Sequence, residues 1–364
     1  MPADNLNKLI KLLEFKGLNS VLICGQPNIT YFLGLPKPSG CLLIVEIGGN
    51  AELLTPLLDY DRVLKYVGSR TVEVKPYTPY GIGSLYEVVS DPLTYVRDKL
   101  STSPRVGVDL NYINYMTYRL VSALGERVVN ISDDLLSIRA VKEDVEVGFI
   151  SRALKVTEDA LLKVLDDLSV GSTELEVVGL LEKYLRDLGA EGVAFDTIVA
   201  SGFNSAYPHA IPSSRKIVAG EPIVIDVGAV FHTYASDLTR TVCVGSMPSE
   251  VSKILEAVDE ALSVAEDFVG PYVRASEVDC RVRKVLSKYG LDKYFIHSTG
   301  HGVGVEVHEA PRIAQGVEEE LKPGMVITLE PGTYIRDHYG VRLEDMVLIT
   351  KSGRKVLNTL SHKL

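Results

Sequence analysis

The chain has 364 residues, 46% of them apolar, with 48 acidic and 38 basic side chains and a net charge of −10. That length suits two domains with full hydrophobic cores, and the acidic balance argues against sequence-independent binding to nucleic acid or anionic lipid. No apolar run approaches the ~20 residues that span a bilayer, so the expectation is a cytoplasmic protein with no membrane partner.

The opening MPADNLNKLIKLLEFKGL alternates leucine and isoleucine with lysine, as a short amphipathic helix does, and has no cleavable apolar core. Strands are predicted at 19–24, 41–46, 53–56, 71–74, 105–109 and 128–131, and helices at 59–66, 91–100 and 112–124. That alternation makes residues 1–136 an α/β domain with mixed strand pairing and no concentrated catalytic group. A charged helical stretch, SIRAVKED (137–144), leads into the second domain, 137–364. There the pattern repeats: helices 145–168 and 173–188, strands 197–200, 222–227 and 239–244, then helices 249–269 and 276–289, strands 304–308, 325–330 and 341–350. Thr173 with Glu176 forms a capping box. Ser276 with Asp279 is expected to open the last helix and Gly290 to close it. Helix–helix–strands, twice over, predicts two similar halves. Cys24, Cys41, Cys243 and Cys280 have no CxxC spacing, lie in or beside apolar or helical segments, and read as buried free thiols. Glutamine occurs only as Gln26 and Gln315, a scarcity that leans towards a thermophilic source.

Five potential metal ligands lie in the second domain: Asp226 (IVIDVG), Asp237 (SDLTRT), His301 (STGHGVG), Glu330 (TLEPGTY) and Glu344 (GVRLED). Buried ion pairs or helix caps would also account for such residues. A metal site is favoured because the charges interrupt apolar strand-like runs, where unpaired burial is very costly. Four carboxylates and one imidazole suit two hard or borderline divalent ions sharing bridging oxygens. A hairpin turning at Phe231–His232 would set Asp226 opposite Asp237; one centred on Asp337 would set Glu330 opposite Glu344. GHGVG precedes a strand-like VEVHE, not a helix, and carries no Lys-Ser/Thr, so its glycines read as close backbone approach at the site rather than a nucleotide loop.

In order and spacing these motifs resemble the pita-bread metallopeptidases, and among them the Xaa-Pro dipeptidases (prolidases), over about residues 145–364. QPNITYFLGL, in the front domain, resembles a segment of the creatinase/prolidase amino-terminal domain. The resemblance implies an α+β fold: a creatinase-like α/β domain, then a pseudo-symmetric antiparallel sheet with flanking helices. It implies that Asp226 chelates one metal, that Asp237 and Glu344 bridge both, and that His301 and Glu330 complete the other. The ions would be Mn or Co, with Zn or Fe as alternatives, and a bridging hydroxide would attack the Xaa-Pro bond of a dipeptide. Glu330 would also shuttle a proton to the leaving nitrogen. His209 (SAYPHA) and His308 match the family's non-ligand active-site histidines, one for the scissile carbonyl or tetrahedral intermediate and one for the substrate carboxylate end; a strand-capping histidine is the plainer alternative. His232, His297, His338 and His362 match no such role. Arg342 would hold a carboxylate in place. Arg312 matches an arginine that meets the proline carboxylate, or else is a surface residue. Phe195 and Val307 would line the proline pocket, or else lie in the core. A homodimer with contact through the front domain is also implied. Within the same fold, an aminopeptidase P-like enzyme acting on longer peptides is the first alternative. A metal-free binding scaffold or a creatinase-like amidinohydrolase is the second, and the presence of all five ligands argues against it.

Overall fold

In a computed structural model of the chain, residues 5–68, 72–81 and 85–364 are described. They fall into two compact units, Met1–Arg139 and Ala140–Leu364.

The first unit opens with α1 (Asn5–Lys16), whose Leu9 and Leu13 are buried while its lysines face out. Then follow β1 (Ser20–Ile23), α2 (Gln26–Leu33), β2 (Leu42–Glu46), β3 (Ala51–Pro56), α3 (Tyr60–Val67), β4 (Val72–Tyr77), α4 (Pro92–Leu100), β5 (Val106–Val108), α5 (Tyr115–Leu124), β6 (Val128–Asn130) and α6 (Ser132–Ala140). The segment expected to begin at Thr71 starts at Val72; Thr71 itself lies outside the described residues. The six strands form one mixed sheet, ordered β4-β3-β2-β1-β5-β6, with β1–β2 and β2–β3 antiparallel and the other pairs parallel. Their fully apolar faces, such as Leu22, Ile44, Leu54 and Val108, pack on α4 and α5.

The stretch 137–144 is not one helix. α6 ends at Ala140 and α7 begins at Asp144. Between them Val141 bridges Met325, and Lys142 donates its N–H to the Gly324 carbonyl, so backbone pairing interrupts the helical periodicity.

The second unit contains α7 (Asp144–Asp167), α8 (Glu174–Asp187), β7 (Gly192–Val193), β8 (Ile198–Ser201), β9 (Pro222–Val227), β10 (Ala229–Phe231), β11 (Tyr234–Ala235), β12 (Leu238–Cys243), α9 (Ser249–Phe268), α10 (Ala275–Lys288), β13 (Gly300–Gly302), β14 (Glu309–Ile313), β15 (Val326–Leu329), β16 (Gly332–Ile335), β17 (Tyr339–Arg342), β18 (Asp345–Thr350) and β19 (Gly353–Val356). The doubled pattern is present. α7 and α8 pack over β12-β9-β8 around Leu154, Leu181 and Ile225, while α9 and α10 pack over β14-β13-β15-β18-β19 around Leu262, Val282 and Ile327. The Thr173–Glu176 capping box is formed. On α10 the cap lies two residues earlier than expected: Glu277 accepts from the Arg274 N–H, and Asp279 is instead buried, bonded to Arg283 and Thr299.

The expected strand 304–308 is a loop between β13 and β14. Gly304 lies against the Glu309 carboxylate, where a Cβ would collide, and that carboxylate also accepts from the Glu306 N–H. Side-chain capping of the backbone therefore replaces a strand ladder.

Candidate metal centre and active site

Two hairpins deliver the acidic residues. The first turns at His232 and Thr233, both at positive φ, one residue later than expected. The register moves by two, and Asp226 pairs with Thr239, not Asp237. Asp237 sits just before β12, in the break after β11. The second hairpin is centred on Asp337 as expected, with Gly332 opposite Arg342. The same register continues with Leu329 opposite Asp345, placing Glu330 and Glu344 where β15–β18 gives way to β16–β17. Glu344 and Thr239 form an isolated antiparallel bridge that joins the two halves.

These turns converge five side chains. Candidate ligand atoms of Asp226, Asp237 and Glu344 lie within 4.8 Å of one another, as do those of His301, Glu330 and Glu344. The His301 ring is buried, and its Nδ1 lies 3.1 Å from the Gly302 carbonyl. Burial holds its pKa down at about 4, so the ring is neutral. A neutral ring donating from Nδ1 leaves a lone pair on Nε2, and Nε2 faces Glu330 at 3.6 Å and Asp237 at 3.7 Å. A lone pair facing an ionised carboxylate is repulsive unless a proton or a metal cation lies between. Burial and neighbouring carboxylates push the acids Asp237 and Glu344 well above the usual range, and burial foremost takes Glu330 to about 8. Asp226 Oδ1 and Asp237 Oδ1 are buried with no hydrogen-bond donor. Orphaned oxygens, mutual repulsion and an imidazole lone pair aimed at the same point are what a cation site looks like when its donors are considered alone.

Around this centre, Arg342 is buried and fully engaged. Its Nη2 donates to Asp226 Oδ2 at 2.6 Å, Nη1 to the Tyr334 hydroxyl at 2.8 Å, and Nε to Thr239 Oγ1 at 3.1 Å. Thr239 Oγ1 passes the contact on to Glu344 Oε2 at 2.7 Å. Arg342 thus holds Asp226 directly and Glu344 through a hydroxyl. Arg240, which the sequence reading passed over, is buried too; it donates to the Glu344 carbonyl and to Asp345 Oδ1, both at 2.7 Å.

A cavity of about 1150 Å³ opens over the centre. His209 and His308, both exposed, line it with Phe195 and Arg312. His308 stands edge-on to His301 at 4.3 Å between ring centroids. Val307 is not among the lining residues; it packs against the core of the first half. His297, to which the sequence reading gave no role, does line the cavity. Its Nδ1 lies 2.8 Å from the Ser298 carbonyl and its Nε2 3.0 Å from the Tyr334 hydroxyl, and burial lowers its pKa to about 4. The neutral ring donates to Ser298, and Tyr334 donates to the ring while accepting from Arg342. The only sequence signal was its place four residues ahead of His301.

Fold and donor set together define a metal-dependent hydrolase. Residues 148–351 match Metallopeptidase family M24 and residues 5–141 the Creatinase/Prolidase N-terminal domain, and the chain belongs to this family of metallopeptidases. It is 36% identical to a Xaa-Pro dipeptidase of Pyrococcus furiosus over 99% of both chains. Among solved structures it resembles the prolidase of Pyrococcus horikoshii OT3 (TM-score 0.88, 32% identity, 98% and 99% of the chains covered). It also resembles an X-Pro aminopeptidase of Thermotoga maritima MSB8 (TM-score 0.88, 29% identity, 99% and 98% covered).

Proposed function

We propose that the chain is a Xaa-Pro dipeptidase whose Asp226, Asp237, His301, Glu330 and Glu344 hold two divalent cations, manganese or cobalt in preference to zinc or iron. The observation that carries this reading is the unbalanced donor set: buried carboxylate oxygens without donors around the bare Nε2 of His301. When bound, such a metal pair supplies Lewis-acid activation of the scissile carbonyl and of the attacking water.

The chain's own residues do the rest. Glu330, which lines the cavity beside the donor set, is the group that moves a proton from water to the leaving proline nitrogen. His209 and His308, on the cavity wall, hydrogen-bond the carbonyl oxygen and the carboxylate end of the peptide. Arg312 presents a fork of donors to that carboxylate, and Phe195 gives the proline ring an apolar wall. The Xaa-Pro bond is a tertiary amide with no N–H. A site that grips carbonyl and carboxylate does not need one.

The likeness to an X-Pro aminopeptidase keeps one second reading in play, removal of a residue from longer peptides. The test is hydrolysis of Met-Pro or Leu-Pro by Mn- or Co-loaded enzyme, beside Xaa-Pro-Xaa tripeptides and a proline-free dipeptide. Turnover of the Xaa-Pro dipeptide alone supports the proposal. Turnover of the tripeptides supports the second reading, and turnover of none overturns both.

A further inference from the structure

We infer that Glu174 is a positioning residue for the reaction, holding the loop that carries His209; this rests on the role proposed for His209. Glu174 is the first residue of α8 and is fully buried. Its carboxylate accepts from five donor atoms: the N–H and hydroxyl of Ser201 at 2.8 and 2.9 Å, Asn204 Nδ2 at 3.0 Å, and the N–H and hydroxyl of Ser213 at 3.0 and 2.7 Å. Ser201 ends β8 and Ser213 lies twelve residues on, so a single side chain clasps both feet of the loop. Backbone bonds from Glu174 N to the Arg215 carbonyl and from Leu175 N to the Ser213 carbonyl complete the clasp. The helix N-terminus offsets part of the charge.

Ser205 and Ala206 are buried, but beyond them the loop has little apolar packing to place it. Tyr207 is 57% exposed, Ile211 86% exposed, and His209 between them is exposed as well. On the far side two polar contacts meet the second half: Ser205 Oγ accepts from the Gly340 N–H at 2.8 Å, and the Pro208 carbonyl accepts from Arg342 Nη1 at 3.3 Å. The Pro208 contact ties the residue before His209 to the same guanidinium that holds Asp226. Polar pins at the feet and one flank therefore set where His209 stands over the cavity. A carboxylate is needed at the feet because every group facing it is a donor; an amide would turn one of its own donors on them.

The test is a double-mutant cycle on kcat/KM for an Xaa-Pro dipeptide with metal-loaded enzyme: Glu174→Gln, His209→Ala and both together, with metal content and thermal unfolding measured on each. Glu174→Gln alone should lower kcat/KM about 10- to 100-fold with metal content unchanged. In the His209→Ala background it should cost less than about 3-fold, because the group it positions is gone. Ser213→Ala, which keeps the bonds from Ser213 N to Glu174 and from Leu175 N to the Ser213 carbonyl, should show the same dependence on His209 at about 3-fold, and it carries the cycle if Glu174→Gln does not fold. An equal loss in both backgrounds overturns the inference while leaving the proposed function standing. Wild-type kcat/KM in His209→Ala overturns the role of His209 and the inference with it.

Discussion

Glu330→Gln should make the metal-free protein more stable and the metal-loaded protein inactive. In the unfolded chain this carboxyl loses its proton near 4.5; in the folded, cation-free site it keeps it to about 8. Between those values the folded state binds more protons than the unfolded state, so stability falls as pH rises. From 4.5 to pH 7 is a span of about 2.5, which at ~1.4 kcal/mol per pH step costs about 3 kcal/mol. Glutamine is neutral at every pH and removes that cost. For a unit of this size about 3 kcal/mol corresponds to roughly 6–12 °C in Tm. The assay is thermal unfolding of chelator-stripped wild type and variant at pH 5, 7 and 8. The two should nearly coincide at pH 5 and diverge by pH 7, with the variant higher. Excess manganese should then reverse the order, because the wild type gains cation-binding energy that the variant has lost. Parallel pH dependences would refute the reasoning, as would a variant that still gains the full manganese increment.

Asp237→Ala and Glu344→Ala should each abolish turnover and lower the metal content to well under one ion per chain, measured by elemental analysis, because Glu344 belongs to both groups of donors and Asp237 reaches from the first to within 3.7 Å of His301 Nε2. Tyr334→Phe should cost about 2 kcal/mol in denaturant unfolding, since it strips Arg342 Nη1 of its 2.8 Å acceptor and the half-buried His297 of its donor. His362, held at 3.1 Å from Asp345, 3.7 Å from Glu266 and 2.7 Å from Asp259, has its pKa raised to about 10 by these acids. Its contribution is complete below pH 6.5 and is lost as pH rises through about 10, so the Tm advantage of wild type over His362→Gln, equivalent to about 2 kcal/mol after solvent screening, should vanish across that window. Arg312→Ala should raise KM for dipeptides about 10-fold and leave kcat near wild type, since it loses one charge-assisted contact with the substrate carboxylate.

The five acidic and imidazole groups stood out because ionisable residues that interrupt apolar strand-like runs are very costly to bury unpaired, which made a metal site the favoured reading over ion pairs or caps. What surrounds them was not. Asp226 and Asp237 were expected to face each other, but His232 and Thr233 accept positive φ without a glycine to announce it, and the turn moved by one residue. The 304–308 stretch alternates like a strand; only the Glu309 carboxylate folded back onto Gly304 and Glu306 makes it a loop. His297 and Arg240 were missed because their partners, Tyr334 and Asp345, lie 37 and 105 residues away. Glu174 looked like any acid in a first helical turn, and nothing local says that five donors converge on it.

The Thr239–Glu344 bridge also bears on how the protein matures. Asp226 and Asp237 come from one half, and His301, Glu330 and Glu344 from the other. The first half's core takes in Val303, Val326 and Met346 from the second, and the donor group of Asp226, Asp237 and Glu344 draws on both halves. Capture of the ion held by Asp226, Asp237 and Glu344 would then keep time with the docking of the halves rather than with the formation of either, and that ion becomes a clock for the last step of assembly.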